Sequence, residues 1–156
     1  MKQQIKVLSL LEPWATLKAI DAKRIETRSW ATKYRGEVFV HSSKKISRGQ
    51  RELIEREPFR TALRPNEIYV RPEMNCGHII ARTEILDVIE ITPQYAQELR
   101  ANNSNEWSFG DYTPGRFAWI MGQTKRLVTP VPIKGQLGIW TWQPDEYPML
   151  IDQNLS

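Results

Sequence analysis

Lys6-Val7-Leu8-Ser9-Leu10-Leu11-Glu12-Pro13-Trp14-Ala15-Thr16-Leu17 runs from an almost unbroken apolar stretch into a proline and then into apolar residues at helical spacing. Residues 6–11 read as a short buried strand. Pro13 stands where a helix begins without losing a useful N–H, which predicts a helix over residues 13–22. Trp14, Leu17 and Ile20 form its buried stripe and leave Lys18 and Asp21 toward water. Arg24-Ile25-Glu26-Thr27-Arg28-Ser29-Trp30 then alternates as extended chain does. Glu26, Arg28 and Trp30 share one polar face, and Ile25 and Thr27 the other.

Working outward, residues 37–41 read as a strand entered through Gly36, and residues 47–56 as a charged surface helix. Residues 57–75 hold Pro58, Pro65 and Pro72 and read as irregular. Residues 77–91 suit one bent strand or two, Thr92-Pro93 signals a helix over 93–100, and the asparagines at 102–105 read as a loop. Residues 116–121, 126–131 and 136–142 complete the strands, and an acidic tail follows from Pro144. Strands outnumber helices and no regular βαβ repeat demands a parallel sheet. The expected fold is α+β, a small mixed or antiparallel β-barrel with two or three peripheral helices. One domain over 1–143, with an irregular insertion near 57–75, would precede a tail at 144–156.

The chain has 156 residues, 40% hydrophobic and 26% charged, which suits one globular domain and excludes a disordered or collagen-like chain. Its most apolar segment, residues 77–91, contains Arg82, Glu84, Asp87 and Glu90, so it falls short of the roughly 18–20 apolar residues a membrane crossing needs. The N-terminus lacks the apolar core of a secretory signal, and a cytoplasmic location is expected. Cys76 is the one cysteine, and with only His41 and His78 as histidines there is no zinc-site spacing, so neither metal nor cofactor is expected.

Charge is unevenly spread. Residues 1–72 carry 16 Lys and Arg against 8 Asp and Glu, a net of +8, whereas residues 73–156 carry 6 against 10, a net of −4. A basic half of this kind attracts polyanions.

Three blocks in the first third, Leu8 to Leu17, Lys23 to Trp30 and His41-Ser42-Ser43-Lys44-Lys45, together with Tyr34-Arg35-Gly36 between them, resemble the ASCH (activating signal cointegrator homology) domain of the PUA-like superfamily. Gly115-Arg116-Phe117-Ala118-Trp119-Ile120 and Pro132-Ile133-Lys134-Gly135-Gln136-Leu137-Gly138-Ile139-Trp140 resemble its closing strands. The family signature Gly-x-Lys-x-x-Glu-x-Arg reads here Asp21-Ala22-Lys23-Arg24-Ile25-Glu26-Thr27-Arg28, with Asp in place of Gly at a helix end where glycine's left-handed conformation is favoured.

The resemblance implies a PUA-like barrel with a cleft beside the first helix, lined by Lys23, Glu26 and Arg28, that binds RNA or a nucleotide-like ligand. The residue chemistry fits. Arg28 offers a planar fork, Lys23 a mobile cation and Glu26 an acceptor, while Trp14 and Trp30 are candidates for stacking on unpaired bases. Lys33, Arg35, Lys44 and Lys45 are candidate phosphate contacts, and His41 either lines the cleft or is a satisfied structural histidine. An enzyme is the alternative. One ASCH-like group hydrolyses acetylated cytidine with a Lys, a Thr three residues on and a distant Glu. Lys23 matches the first, but Glu26 stands at the Thr position, and the distant carboxylate falls on either Glu98 or Glu106. Lys23 and Glu26 would be its catalytic pair, acting on a modified nucleoside or on RNA. Protein interaction is a third reading.

Overall fold

In a computed structural model describing residues 3–151, the chain forms eight strands and five α-helices around one mixed sheet. The last five residues of the expected tail, and the first two of the chain, lie outside the described residues. Strand β1 (Ile5–Leu10) leads into α1 (Trp14–Ala19), followed by β2 (Ile25–Arg28) and β3 (Gly36–Ser42). Helices α2 (Arg48–Ile54) and α3 (Phe59–Ala62) precede the long strand β4 (His78–Glu90). Helices α4 (Pro93–Asn102) and α5 (Ser104–Phe109) then lead to β5 (Phe117–Met121), β6 (Lys125–Pro132), β7 (Ile139–Trp142) and β8 (Leu150–Ile151).

The strand order is β2-β5-β4-β3-β1-β7, with β6 paired to β4 and β8 paired to β6. Strand β1 runs parallel to β3, and the other pairings are antiparallel. The 13 residues of β4 reach three partners, which its register shifts at Ile79/Ala81 and Ile85/Asp87 permit by bending the strand. The fold is thus mixed α+β and PUA-like, but the sheet is open where a closed barrel was expected. Its ends β2 and β7 do not pair; instead Arg28 Nη2 on β2 donates to the Ser9 carbonyl on β1. A side chain spans the gap that backbone bonds would close in a barrel.

Strand β1 is covered on both faces, as its unbroken apolar run requires. Leu8 and Leu10 pack with Val38, Val40, Ile80 and Trp119, while Ile5 and Val7 pack with Phe39, Ile79 and Trp140. Helix α1 departs from the expectation that Lys18 faces water: Lys18 is 1% exposed. The reason is enclosure. Ala15 and Ala19 lie against the sheet core, and Leu17 packs against Ile54, Phe59, Leu63 and Phe109 from the outer helices, which leaves this short helix no wet face.

Five helices also exceed the two or three expected. Phe59 anchors α3 within the proline-bearing segment, whose remaining elements are single 3-10 turns. The asparagine cluster joins two helices, because Asn103 ends α4 and its Oδ1 accepts from Glu106 N to start α5. Ser47 forms a capping box with Gln50, and Thr92 caps α4 beside Pro93, where their sequence signals put these starts. Part of the tail is ordered as β8 against β6. No helix among the described residues is long and apolar enough to cross a membrane.

Candidate functional site

Asp21 ends the turn after α1 at φ 61, the left-handed conformation for which glycine is favoured. Its carboxylate offsets the strain by accepting from Thr124 N at 3.3 Å and from Arg24 Nη2 at 2.7 Å. This turn delivers Lys23 and β2. Lys23 is 2% exposed, its ammonium donates to the Ile25 carbonyl, and it lies 3.5 Å from Glu26 Oε1. The other carboxylate oxygen, Glu26 Oε2, accepts from Arg28 Nη2 at 3.1 Å. Glu26 therefore stands between two cations, and the signature triplet is a connected chain. Thr27, expected from strand alternation to face away, also lines the cleft beside this chain, with its Oγ1 accepting from Asp111 N.

A cleft of about 680 Å³ opens beside this chain, lined on the β2 side by Glu26, Arg28 and Trp30. Trp14 from α1 and the rings of Phe59 and Phe109 add an aromatic wall, and Asp111 and Arg116 complete a polar edge. Its charges are matched: Arg28 pairs with Glu26, and Arg116 lies 3.5 Å from Asp111. Arg28 Nε is buried without a hydrogen-bond partner. Trp14 is fixed by a bond from Nε1 to the Phe109 carbonyl at 2.6 Å, and its ring meets Phe59 edge-on. Trp30 is 38% exposed and meets Trp119 edge-on at 4.8 Å.

A second cleft, of about 700 Å³, shares Ser9, Ser43 and Leu137 with the first. His41 and Lys44 line it from the β3 side, and Lys134 and Gly135 from the β6–β7 loop. His41 is buried, and both of its nitrogens are engaged. The Ile133 carbonyl can only accept, so Nε2 carries the proton and donates to it at 2.8 Å, leaving Nδ1 to accept from Ser9 Oγ at 3.4 Å. Burial pushes the imidazole pKa down, which favours this neutral form.

The predicted residues thus divide. Trp14, Glu26, Arg28 and Trp30 meet at the first cleft, and His41 and Lys44 at the second; Lys23 lies behind Glu26 and lines neither. Lys33 and Lys45 are exposed outside both, and Arg35 is occupied by the Thr32 and Tyr34 carbonyls and by Asp87 at 3.6 Å. Of the two candidate distant carboxylates, Glu98 is on the exposed side of α4. Glu106 is buried, accepts from Arg24 N at 2.6 Å, and has its pKa raised by desolvation. Sequence patterning does not mark Lys134, Leu137, Phe59 or Phe109 as site residues, yet they line the two clefts. For Lys134 and Leu137 the sequence signal is the pair of loop glycines Gly135 and Gly138; the two phenylalanines have none, being in segments without clear periodicity. Among the described residues no group of three or more His, Cys, Asp or Glu could hold a metal ion.

Comparison with known proteins gives a match to the ASCH domain model over residues 8–128. Activating signal cointegrator 1 of Mus musculus is 27% identical over 133 residues, covering 85% of this chain and 21% of that protein. The Homo sapiens protein of the same name is 26% identical over 133 residues with the same coverage. The chain spans about a fifth of the length of these relatives.

Proposed function

The chain belongs to the ASCH domain family, and from that membership we propose that it binds RNA or a nucleotide-like ligand, receiving an unpaired base in the cleft beside α1. The observation that carries this reading is Arg28, whose side chain is 22% exposed and lines the cleft. Its accessible guanidinium N–H groups suit a base edge or a phosphate oxygen, and hydrogen bonds to charged groups contribute roughly 1.5–3 kcal/mol. The Ser9 carbonyl and Glu26 hold the guanidinium in place before any ligand arrives.

Trp14 and Trp30 supply sequence-tolerant stacking surface, and Glu26 offers an acceptor for an exocyclic amine. Lys23 is a positioning residue for Glu26. Lys33, Lys44 and Lys45, exposed and without ion pairs among the described residues, add diffuse attraction for phosphates. Hydrolysis of a modified nucleoside has less in its favour, since Lys23 lines neither cleft and Glu26 holds the position of the hydroxyl nucleophile.

Fluorescence anisotropy with a labelled single-stranded oligoribonucleotide tests the reading. Binding should saturate and weaken with salt, with a logarithmic slope of about −0.7 per phosphate contact. Arg28→Ala should weaken it about tenfold or more, as loss of a charged hydrogen bond does. Absence of saturable binding at low salt overturns the reading.

A further inference from the structure

The two clefts differ in charge while sharing a wall. In the first, each cation has a carboxylate beside it: Arg28 has Glu26 and Arg116 has Asp111. The second contains Lys44 and Lys134 and no Asp or Glu at all. Neither lysine has an ion pair or hydrogen bond among the described residues, and the same is true of Gly135 and Gln136, whose backbone N–H groups are left without acceptors. Leu137, 99% exposed, stands on the ridge common to both clefts.

We propose that the second cleft is an anion subsite, built by Lys44, Lys134 and the backbone of the β6–β7 loop at Gly135, which takes the phosphate of a nucleotide whose base occupies the first cleft. This rests on the reading of the first cleft as a base site, and it narrows the ligand to a phosphorylated one, a nucleotide or an RNA strand rather than a free nucleoside. An aromatic, charge-balanced pocket suits an uncharged heterocycle. An adjoining pocket with unpaired cations and open amides suits a phosphate.

The loop is held where the subsite needs it. Ile133 N donates to the Gly77 carbonyl at 3.0 Å, and His41 Nε2 holds the Ile133 carbonyl from the other side. A Cβ on Gly135 would come within 2.5 Å of His41 Cε1 and 2.6 Å of Nδ1, so only glycine allows the loop to lie this close over the imidazole. His41, read from sequence as either a cleft residue or a satisfied structural one, is both: its ring lines the pocket, Nε2 anchors the loop that carries Lys134, and Nδ1 ties the ring to Ser9 on β1.

Inorganic pyrophosphate and a short single-stranded RNA serve as probes, with the paired variants Lys44→Ala/Lys134→Ala and, as an equal change of charge at exposed residues outside the clefts, Arg56→Ala/Arg71→Ala. In amide NMR, pyrophosphate should shift Gly135 and Gln136 saturably in the wild type and in the control pair, and not in Lys44→Ala/Lys134→Ala. That variant should bind RNA about tenfold or more weakly, with a salt slope reduced by about 1.4, the value for two lost contacts. Shifts that never saturate, or that survive the loss of Lys44 and Lys134, overturn the subsite. If RNA binding weakens in Trp30→Ala but is unchanged in Lys44→Ala/Lys134→Ala, the base site stands and the subsite falls. If pyrophosphate saturates the loop but RNA does not bind at all, the anion pocket stands and the nucleic-acid reading falls.

Discussion

Arg28 Nη2 donates to the Ser9 carbonyl at 2.9 Å, joining β2 to β1 although β5, β4 and β3 lie between them in the sheet. The same nitrogen reaches Glu26 Oε2, so one guanidinium closes the open side of the sheet and forms part of the cleft wall. Lysine retains the charge but cannot reproduce a planar fork. Arg28→Lys should therefore lose about tenfold or more in RNA affinity while keeping most of the wild-type salt slope, and should lower unfolding free energy by about 1–2 kcal/mol. Anisotropy titrations and urea unfolding measure both.

Trp30 presents part of its ring to the cleft while its edge contact with Trp119 fixes it. Trp30→Ala should weaken RNA binding by roughly 1–3 kcal/mol, the worth of one stacked base, and Trp30→Phe should recover much of that loss. Equal affinity of the two variants would place stacking elsewhere.

Buried Glu12 and Lys18 give stability an unusual dependence on pH. Desolvation raises the Glu12 pKa to about 7 and lowers that of Lys18 to about 7. Glu12 binds its proton more tightly folded than unfolded, so its contribution is fullest below its ordinary pKa and is lost as pH rises toward 7. Lys18 binds its proton less tightly folded, so its contribution grows as pH rises from 7 toward its ordinary value. Together the two groups pull stability to a minimum near neutrality. Denaturant unfolding across pH should show that Lys18→Met is more stable than wild type near pH 6, by about 1–4 kcal/mol, with the difference shrinking toward pH 10. Glu12→Gln should flatten the profile between about pH 4.5 and 7.

Gly135→Ala should cost about 1–3 kcal/mol, because the new methyl must displace either the loop or the His41 ring. The His41 ring resonances should move with it, and pyrophosphate binding should weaken in parallel.

Asp21 occupies a left-handed turn and holds Thr124 N and Arg24 with its carboxylate. Asp21→Ala keeps the strained backbone and loses both contacts, and should destabilise by about 1–2 kcal/mol. Asp21→Gly loses the contacts but relieves the strain, so urea midpoints should rank wild type, then glycine, then alanine.

Local patterns in the sequence determined the strand–helix–strand opening, the polar face of Glu26 and Arg28, and the helix starts at Ser47 and Thr92, because each depends on neighbours two to four residues away. Membership of the ASCH family was legible for the same reason, in short ordered blocks. Only the tertiary structure decided that Lys18 is buried, since α1 is enclosed by a sheet and by three outer helices that its own periodicity does not reveal. Only it decided that Lys23 stands behind Glu26, that a side chain instead of a strand pairing closes the sheet, and that Lys134 meets Lys44 across one pocket. Burial and convergence are set by contacts between residues distant in sequence, and a single chain of letters carries no period for those.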